Sequence, residues 1–297
     1  MLTNLLTAAI APLVWGSTYL VTTELLPPGR PLLAATLRAL PVGLVLTIAA
    51  RQRPHGVWWW RMTVLGTLNI GAFFALLFVA AYRLPGGVAA TAGAVQPLIV
   101  AGLAAVLLGE TFTRRTALAG VTGLVGVGLL VLGPEAGLDP IGLLAALGGT
   151  MSMATGVVLT KRWGRPVGLL TATGWQLAVG GLLLAPLALL VEGPPPAMTA
   201  ANVGGILWLG IAGTGLAYSM WFRGIERLPV SSLTFLALIS PLVATIAGWV
   251  VLDQSLTPVQ LVGGGLVLAA VVAPQLPRRT TPAAVLALAP EPQPCAS

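Results

Sequence analysis

The sequence predicts an all-α integral membrane protein of ten transmembrane helices, arranged as two inverted five-helix repeats. Three observations predict this fold: the composition, a series of long apolar segments, and an internal repeat. Of the 297 residues, 57% are hydrophobic and only 8% are charged, whereas soluble domains carry about 25% charged residues. So few charges cannot cover a soluble protein of this size, but a surface that faces lipid does not need them.

Ten apolar segments have the length of about 20 residues that a helix needs to cross a bilayer. Turn-forming and charged residues separate them, as in Arg51-Gln52-Arg53-Pro54 and Gly193-Pro194-Pro195-Pro196. Apolar and polar residues do not alternate along the segments, which argues against the strands of a membrane barrel. The predicted helices are 4–25, 30–50, 62–82, 86–108, 115–133, 139–161, 168–191, 202–222, 229–251 and 256–275.

The basic residues are distributed unevenly between the two sets of loops. When successive loops are assigned alternately to two sides, only Arg30 and Arg83 fall on the side opposite the N-terminus, and Arg38 lies within a helix. Because basic residues accumulate in cytoplasmic loops, we expect a multi-pass protein of the inner membrane with both termini in the cytoplasm. The basic residues on the N-terminal side are Arg51, Arg53, Arg61, Arg114, Arg115, Lys161, Arg162, Arg165, Arg223, Arg227, Arg278 and Arg279.

The two halves of the sequence resemble each other. At a shift of 144 residues, Arg83-Leu84-Pro85 aligns with Arg227-Leu228-Pro229, and Pro97-Leu98 aligns with Pro241-Leu242. We therefore predict a first repeat at 1–135, a second repeat at 136–276 and a disordered cytoplasmic tail at 277–297. Since each repeat holds an odd number of helices, the second enters the membrane from the opposite face. Inverted repeats of this kind support alternating access, with the substrate site at their interface.

Several short motifs carry a resemblance to a known family. They are Trp15-Gly16-Ser17, Arg38, Pro97, Leu108-Gly109-Glu110 and Pro241. With these motifs the two copies resemble the EamA domain of the drug/metabolite transporter superfamily over nearly the whole chain. The stretch from Trp15 to Pro41 is similar to the PecM-type branch, which is associated with pigment export. In outline the chain is also similar to amino-acid exporters such as YddG.

The resemblance implies an inner-membrane exporter or exchanger of small metabolites. The second repeat departs from the family pattern at two positions, because Gln176 replaces the equivalent of Arg38 and Gln254 replaces the equivalent of Glu110. These unmatched polar residues distinguish the two halves, so we expect them to bear on how a substrate is oriented.

Arg38 lies about eight residues into the second predicted helix, roughly 12 Å from its start at 1.5 Å per residue. A charge inside the membrane costs about 2.5–3.5 kcal/mol on insertion scales, so its side chain should face a cavity or a partner. Two interpretations are open. Arg38 binds a carboxylate or another anion of the substrate, or it holds the carbonyl groups of a broken helix nearby.

Two prolines, Pro97 and Pro241, are predicted to lie within helices at equivalent positions of the two repeats. A proline inside a helix removes one backbone hydrogen bond, and the freed carbonyl is tolerated at membrane depth where it lines a cavity. The symmetric placement favours a pair of hinges or gates over simple packing kinks. The neighbouring Gln96 and Ser240 then become candidates for the lining of a substrate pocket.

Further candidates for the substrate site are aromatic and polar residues within the predicted helices. Most aromatic side chains in a membrane bundle serve packing, so the functional interpretation rests on those with polar or small neighbours. The amides are included because polar groups at membrane depth face the interior. These candidates are Trp15, Ser17, Tyr19, Asn69, Phe73, Trp175, Gln176 and Tyr218.

Glycines are frequent in the fifth and tenth predicted helices, as in Gly263-Gly264-Gly265. Small residues of this kind permit close contact between helices. A homodimer formed through these two helices is one interpretation, and packing of the helices within one chain is the other, which we prefer.

Several classes of function lack the residues that they need. No Asp or Glu lies in the middle of a predicted helix, and His55, the one histidine, lies in a loop. We therefore expect no proton relay through a side chain, no metal, no cofactor and no enzymatic activity. The single cysteine cannot form a disulfide within the chain. Basic residues occur in short clusters between apolar segments, which does not favour a nucleic-acid partner.

The sequence thus predicts a transporter that exports a small metabolite by alternating access, with lipid and the substrate as its partners. A pocket with one arginine, aromatic rings and amides suits an amino acid, a planar pigment or a related compound. The alternatives are an exchanger or uniporter of another class of solute, and a membrane scaffold without transport activity. The identity of the substrate, the energy coupling and the oligomeric state stay open.

Overall fold

The computed structural model describes residues 2–84, 91–131, 139–251 and 257–276, and all regular structure in these ranges is helical. Within them, nine helical segments are long and apolar enough to cross a membrane. The prediction of an all-α membrane protein is confirmed at this level. The nine are α1 (Leu2–Leu25), α2 (Pro31–Ala50), α3 (Trp58–Arg83), α4 (Thr91–Leu108), α6 (Pro140–Trp163), α7 (Leu169–Glu192), α8 (Ala200–Arg227), α9 (Val230–Val251) and α10 (Pro258–Gln275).

A further helix, α5 (Arg114–Val131), occupies the position of the fifth predicted segment and has 18 residues. The segments agree with the predicted ones to within a few residues. One difference is at α8, which continues to Arg227 rather than ending at residue 222. Its last turns carry Arg223, Glu226 and Arg227, so hydropathy cannot detect them although the backbone stays helical. The predicted tail, 277–297, lies outside the described residues.

Five of the described segments are interrupted, and four of these interruptions lie at positions that correspond between the two halves; the fifth is the turn at residues 16–17 in α1. The α-helical geometry gives way to π-helical turns at Thr67–Ala72 in α3 and at Trp208–Leu216 in α8. A turn at residues 94–95 breaks α4, and a 3-10 stretch at Thr234–Leu238 breaks α9. Single π-helical turns are rare in proteins and are frequent at functional sites. These interruptions place irregular backbone near the middle of the bundle.

Helices α2 and α7 pack backbone against backbone. A Cβ atom added at Gly43 would lie 2.4 Å from the backbone nitrogen of Ala178, and one added at Gly181 would lie 2.6 Å from the Cα of Leu40. Real Cβ atoms do not approach other atoms this closely, so both positions require glycine. The contact joins the two halves and holds Arg38, which lies on α2, at a fixed position in the bundle.

Helices α5 and α10 form a second close pair. A Cβ atom at Gly126 would lie 2.9 Å from the backbone nitrogen of Val267, and one at Gly263 would lie 2.6 Å from that of Leu130. These glycines therefore pack within the chain, as small residues allow between membrane helices. The close faces of α5 and α10 are buried against each other and do not need a second copy of the chain.

One end of the bundle, here called the Glu110 end, is held together by polar contacts between helices. The carboxylate of Glu110, just after α4, accepts hydrogen bonds from the backbone nitrogens of Val230 (2.9 Å) and Ser231 (3.1 Å) at the start of α9. The Ser231 hydroxyl donates to the same carboxylate at 2.5 Å. Lys161, near the end of α6, donates to the carbonyl oxygen of Leu228 at 3.1 Å. A carboxylate at a helix N-terminus is favourably placed for the free N–H groups and the helix dipole.

The opposite end, here called the Glu192 end, has an equivalent contact. The carboxylate of Glu192, the last residue of α7, accepts hydrogen bonds from the backbone nitrogens of Leu32 (2.6 Å) and Leu33 (2.9 Å) at the start of α2. Both carboxylates therefore bind the N-terminus of a helix from the other half of the chain.

Asp139 begins α6 at the Glu192 end. Its carboxylate accepts a hydrogen bond from the backbone nitrogen of Ile141 (2.9 Å), which is the usual role of aspartate at a helix start. It also accepts one from the guanidinium of Arg83 at 3.1 Å, which lowers the pKa of the Asp139 carboxyl from its ordinary value. The contact fastens the end of α3 to the start of α6.

Candidate functional site

A cavity of about 160 Å³ lies in the middle of the bundle, between helices of both halves. For comparison, an apolar cavity of about 150 Å³ holds a benzene molecule. Helices α1–α4 of the first half and α6, α8 and α9 of the second half line it. The lining residues are Trp15, Thr18, Thr22, Arg38, Phe73, Leu77, Phe78, Ala80, Ala81, Gly93, Ala94, Gln96, Pro97, Ala146, Gly149, Thr150, Met153, Tyr218, Trp221, Ala237, Leu238, Ser240 and Pro241.

Arg38 is the charged residue of this lining, as far as the described residues go, and its side chain is 3% exposed. Its Nη2 donates to the carbonyl oxygen of Gly213 (3.0 Å), and its Nε donates to the hydroxyl of Thr214 (2.8 Å). Both partners belong to the π-helical turn of α8. The guanidinium also lies over the ring of Phe74, 4.7 Å from its centre.

These contacts bear on both interpretations of Arg38. The guanidinium does hold a carbonyl of an interrupted helix, as the structural interpretation expects. It also borders the cavity, as the binding interpretation expects. Arginine has five N–H donors, and Nη1 has no protein partner among the described residues. The two roles are therefore compatible, because the donors that brace α8 leave others for a ligand.

Aromatic rings form the wall beside Arg38. Trp15 lies with its ring centre 5.2 Å from that of Tyr218 and 5.3 Å from that of Trp221. Phe74 lies edge-on to Tyr218, with the ring centres 5.7 Å apart. The indole nitrogen of Trp15 donates to the carbonyl oxygen of Gly213 at 2.9 Å, which fixes this ring in place. Tilted and edge-on arrangements at these distances are favourable for aromatic pairs.

Eight predicted residues line the cavity, and they come from six helices. The two prolines differ from expectation in their local structure. Pro97 begins the regular part of α4 just after the turn at 94–95, and Pro241 lies in the first turn after the 3-10 stretch of α9. A missing N–H costs little at a helix start, so the chain breaks before each proline rather than at it. The eight are Trp15, Arg38, Phe73, Gln96, Pro97, Tyr218, Ser240 and Pro241.

Three predicted residues form contacts away from the cavity. Asn69 Nδ2 donates to the side-chain oxygens of Gln176 (2.8 Å) and Thr160 (3.0 Å), which gives a buried polar cluster between α3, α6 and α7. Trp175 donates to the carbonyl oxygen of Gln52 at 3.1 Å, toward the end of α2. Their proposed part in substrate binding stays a prediction.

One predicted residue of α1, Ser17, also falls outside this lining. The hydroxyl of Ser17 donates to the carbonyl oxygen of Val14 (2.7 Å) and accepts from the indole of Trp208 (2.9 Å). Ser17 thereby stabilises the turn that interrupts α1. The side chain of Tyr19 lies outside the described part of the structure.

Several lining residues were not among the candidates from sequence, notably Thr18, Thr22, Thr150 and Trp221. Helical spacing provides a signal that could have found some of them. Trp221 follows Tyr218 by three residues on α8, and Thr22 follows Thr18 by four on α1, so each pair shares a helix face. For Thr150 on α6 no equivalent signal exists, because its neighbours are small and apolar.

The cavity extends toward the Glu192 end and is closed toward the Glu110 end. Lining residues such as Thr22, Ala81 and Gly93 lie near the ends of α1, α3 and the start of α4, which point to the Glu192 end. On the other side the bundle is filled by fully buried side chains. These include Ala8, Ala11, Ala104, Ile225, Val230 and Leu233.

Two matches to one family model cover almost the whole described chain. The model of the EamA-like transporter family matches residues 2–132 and again residues 140–273. The chain belongs to the EamA-like transporter family. The resemblance of the short motifs to the EamA domain is thereby confirmed, and the family supports a function in membrane transport.

Similar proteins also support a function in membrane transport. Protein PecM of Dickeya dadantii (strain 3937) is 49% identical over 267 residues, which are 89% of this chain and 90% of that protein. The uncharacterised inner membrane transporter YedA of Escherichia coli (strain K12) is 27% identical, over 91% of this chain and 90% of that protein. This EamA member is therefore PecM-like, as its first helices predict. Its relatives carry the names of transporters, which is consistent with the prediction that it is not an enzyme.

A solved structure shares the fold. A crystal structure of a protein with 22% sequence identity superposes with a TM-score of 0.78, covering 92% of this chain and 96% of that one. At this identity the similarity supports the helical architecture alone.

Proposed function

We propose that this EamA-family protein exports a small metabolite across the inner membrane by alternating access, and that the metabolite carries a carboxylate or similar acceptor group on an apolar body. The observation that carries the proposal is the central cavity, which is lined by both halves of the chain. Among the described lining residues, Arg38 is the charged one. An amino acid or a planar conjugated compound fits this description.

The chemistry of the cavity favours a ligand rich in hydrogen-bond acceptors. Arg38 can only donate, and the described lining around it is largely apolar, so a charge-assisted hydrogen bond there is strong. The described lining residues include no carboxylate and no histidine. A cationic ligand would find no opposite charge among them and would be repelled by the guanidinium.

We propose that the architecture comprises ten membrane-crossing helices in two inverted halves, 1–135 and 136–276, with both termini cytoplasmic. Support comes from the two family matches and from the interruptions, which correspond between α3 and α8 and between α4 and α9. The uneven distribution of basic residues between the two sets of loops supports it as well. On this topology the Glu110 end is cytoplasmic and the cavity extends toward the outside.

Alternating access then requires the two ends to open in turn. The Glu110 carboxylate joins the end of α4 to the start of α9, so opening the cytoplasmic side separates these groups. The break before Pro241 lies between this contact and Ser240 of the cavity lining, and the break before Pro97 lies within the lining itself, beside Ala94 and Gln96. We propose them as the hinges, because interrupted helices absorb backbone rotation more readily than continuous ones.

Exchange or uniport is the second candidate mode of transport. The described lining residues offer no acidic side chain that could carry a proton, so coupling through the substrate's own titration or through a counter-substrate is favoured. We propose a monomer as the working unit, because the glycine faces of α5 and α10 are already buried against each other.

Transport by purified protein in liposomes tests the proposal. Wild type and Arg38→Ala are compared for exchange of labelled L-tryptophan, with tryptamine as the analogue that lacks the carboxylate. We expect wild type to move L-tryptophan and not tryptamine, and Arg38→Ala to lower the rate at low substrate by 10-fold or more, as expected for a charged hydrogen bond of about 1.5–3 kcal/mol.

Arg53→Ala is the matched control, because this arginine is exposed between α2 and α3. Arg38→Lys keeps the charge and shows whether a loss reflects misfolding, since both Arg38 variants are also checked for thermal stability. Equal transport by wild type and a folded Arg38→Ala would contradict the role of Arg38. Faster transport of tryptamine than of L-tryptophan would contradict the substrate class.

A further inference from the structure

We infer that the cavity has a second polar contact point for its substrate, formed by the indole nitrogen of Trp221 and the hydroxyl of Thr18. This inference rests on the proposed function and adds to it that the substrate carries a second hydrogen-bond acceptor, separate from the group that binds Arg38. Trp221 lies outside the short motifs that carry the family resemblance.

Trp221 has a buried donor without a partner. Its side chain is 0% exposed and lines the cavity, and its Nε1 makes no hydrogen bond in the described structure. Trp15, whose ring lies 5.3 Å away, is different, because its Nε1 is bound to the carbonyl oxygen of Gly213. Buried indole N–H groups normally have a partner, because an unsatisfied one destabilises the folded state. A donor left open beside a cavity is a donor for what enters that cavity.

Thr18 has an open hydroxyl for a reason that lies in the backbone. Threonine in a helix usually donates to the carbonyl four residues earlier, as Thr22 does to Thr18. For Thr18 that carbonyl belongs to Val14, and both the backbone nitrogen (3.1 Å) and the hydroxyl (2.7 Å) of Ser17 already bind it. The turn at Gly16 and Ser17 thus leaves the buried Thr18 Oγ1 without a partner.

Both contact points adjoin Trp15. Arg38 and the Trp15 indole nitrogen share the carbonyl of Gly213, and the ring centre of Trp221 lies 5.3 Å from that of Trp15. We therefore infer a substrate whose two acceptors are separated by an apolar body of about the size of one aromatic ring. A para-substituted benzoate matches this arrangement, with the carboxylate for Arg38 and a carbonyl for Trp221.

The test uses purified full-length protein and two such probes of nearly equal shape. 4-Acetylbenzoate carries a carbonyl at the far end, and 4-isopropylbenzoate carries an apolar group in its place. Binding is measured by thermal shift and by competition with labelled L-tryptophan exchange. We expect wild type to bind 4-acetylbenzoate about tenfold more tightly, in line with one hydrogen bond to an otherwise unsatisfied buried donor.

Trp221→Phe removes the N–H and keeps an aromatic ring. We expect this variant to lose the preference between the two probes while its affinity for 4-isopropylbenzoate stays within twofold of wild type. Thr18→Val should reduce the preference in part. A variant that weakens both probes equally would show that Trp221 only packs, and would overturn the inference.

A comparison without ligand provides an independent readout. Both variants shorten an indole to a phenyl ring, but only Trp15→Phe also removes a hydrogen bond, so Trp15→Phe should melt about 2–4 °C below Trp221→Phe. An equal loss in both variants would overturn the inference. If wild type binds neither benzoate, the proposed substrate class is wrong and the inference fails with it. If wild type binds both benzoates equally tightly, the second contact point is refuted and the proposed substrate class is not.

Discussion

Arg38 and Trp15 donate hydrogen bonds to the same carbonyl oxygen, that of Gly213, at 3.0 and 2.9 Å. The acceptor lies in the π-helical turn of α8, whereas the donors come from α2 and α1. A π-helical turn displaces backbone groups from the regular hydrogen-bond pattern. Here the displaced carbonyl of Gly213 accepts hydrogen bonds from two side chains of the other half. This one carbonyl oxygen thus helps to fix the positions of two residues that line the cavity.

Thr214→Val tests how strongly this turn is braced. The Thr214 hydroxyl accepts from Arg38 Nε and donates to the carbonyl of Leu209 at 2.8 Å. Valine leaves the buried guanidinium nitrogen without its acceptor, so we expect the free energy of unfolding to fall by about 2 kcal/mol and transport to weaken. Thr7→Val, at an exposed hydroxyl near the start of α1, is the control and should stay within about 0.5 kcal/mol of wild type. Similar stabilities in both variants would refute the brace.

Gly43→Ala tests the contact between α2 and α7. Its Cβ would lie 2.4 Å from a backbone nitrogen that cannot move aside, so we expect a loss of about 1–3 kcal/mol, as for overpacked cores. Gly102→Ala on α4 is the matched control, because nothing lies within 4 Å of its Cβ. It should be stabilising by about 0.5–1 kcal/mol, since alanine favours a helix more than glycine does. Thermal unfolding in detergent measures both, and an undisturbed Gly43→Ala would refute the close contact.

The sequence could predict the features that depend on hydropathy and charge, but not those that depend on how helices face each other. The apolar segments were placed to within a few residues, because lipid imposes their length. The burial of Arg38 followed from the cost of a charge at membrane depth. The hydrogen-bond partner of Arg38 could not be predicted in the same way, because the carbonyl of Gly213 is free only where the backbone of α8 is π-helical.

The same limit explains the residues that the structure places elsewhere. Asn69 and Gln176 are polar at depth, and this alone made them candidates for the substrate site. Asn69 Nδ2 instead donates to Gln176 Oε1, and two separate helices in a sequence do not reveal this contact. Conversely, Trp221 resembles any packing tryptophan until its unpartnered nitrogen is seen.

Glu110→Gln tests the closure of one end of the bundle. The amide has one acceptor oxygen where the carboxylate has two, so we expect the contact with Val230 and Ser231 to weaken by about 1.5–3 kcal/mol. The end should then open more often. In a Cys295→Ser background, a cysteine at the buried position Leu233 reports this opening through its labelling rate with a charged maleimide.

We expect Glu110→Gln to raise this labelling at least tenfold. Glu192→Gln is the matched control, because it weakens an equivalent contact at the opposite end and should leave the rate unchanged. Equal rates in wild type and Glu110→Gln would show that the carboxylate does not hold this end closed.

Reporter fusions test the topology. An alkaline phosphatase inserted after Gly193 should be active, since we place this loop outside the cytoplasm, and one fused after Gln275 should be inactive. A fluorescent protein that folds only in the cytoplasm should give the reverse pattern. Phosphatase activity at both sites would contradict the inverted arrangement, which requires α8, α9 and α10 to cross three times between them.

The single carbonyl that Arg38 and Trp15 share has a mechanical consequence. The guanidinium is tethered to α8, so a ligand that draws it toward the cavity also pulls on the helix of the opposite half. On the proposed function, a substrate that binds the remaining donors of Arg38 is connected through one side chain to the backbone of α8. Substrate binding and movement of α8 against the first half would then be coupled.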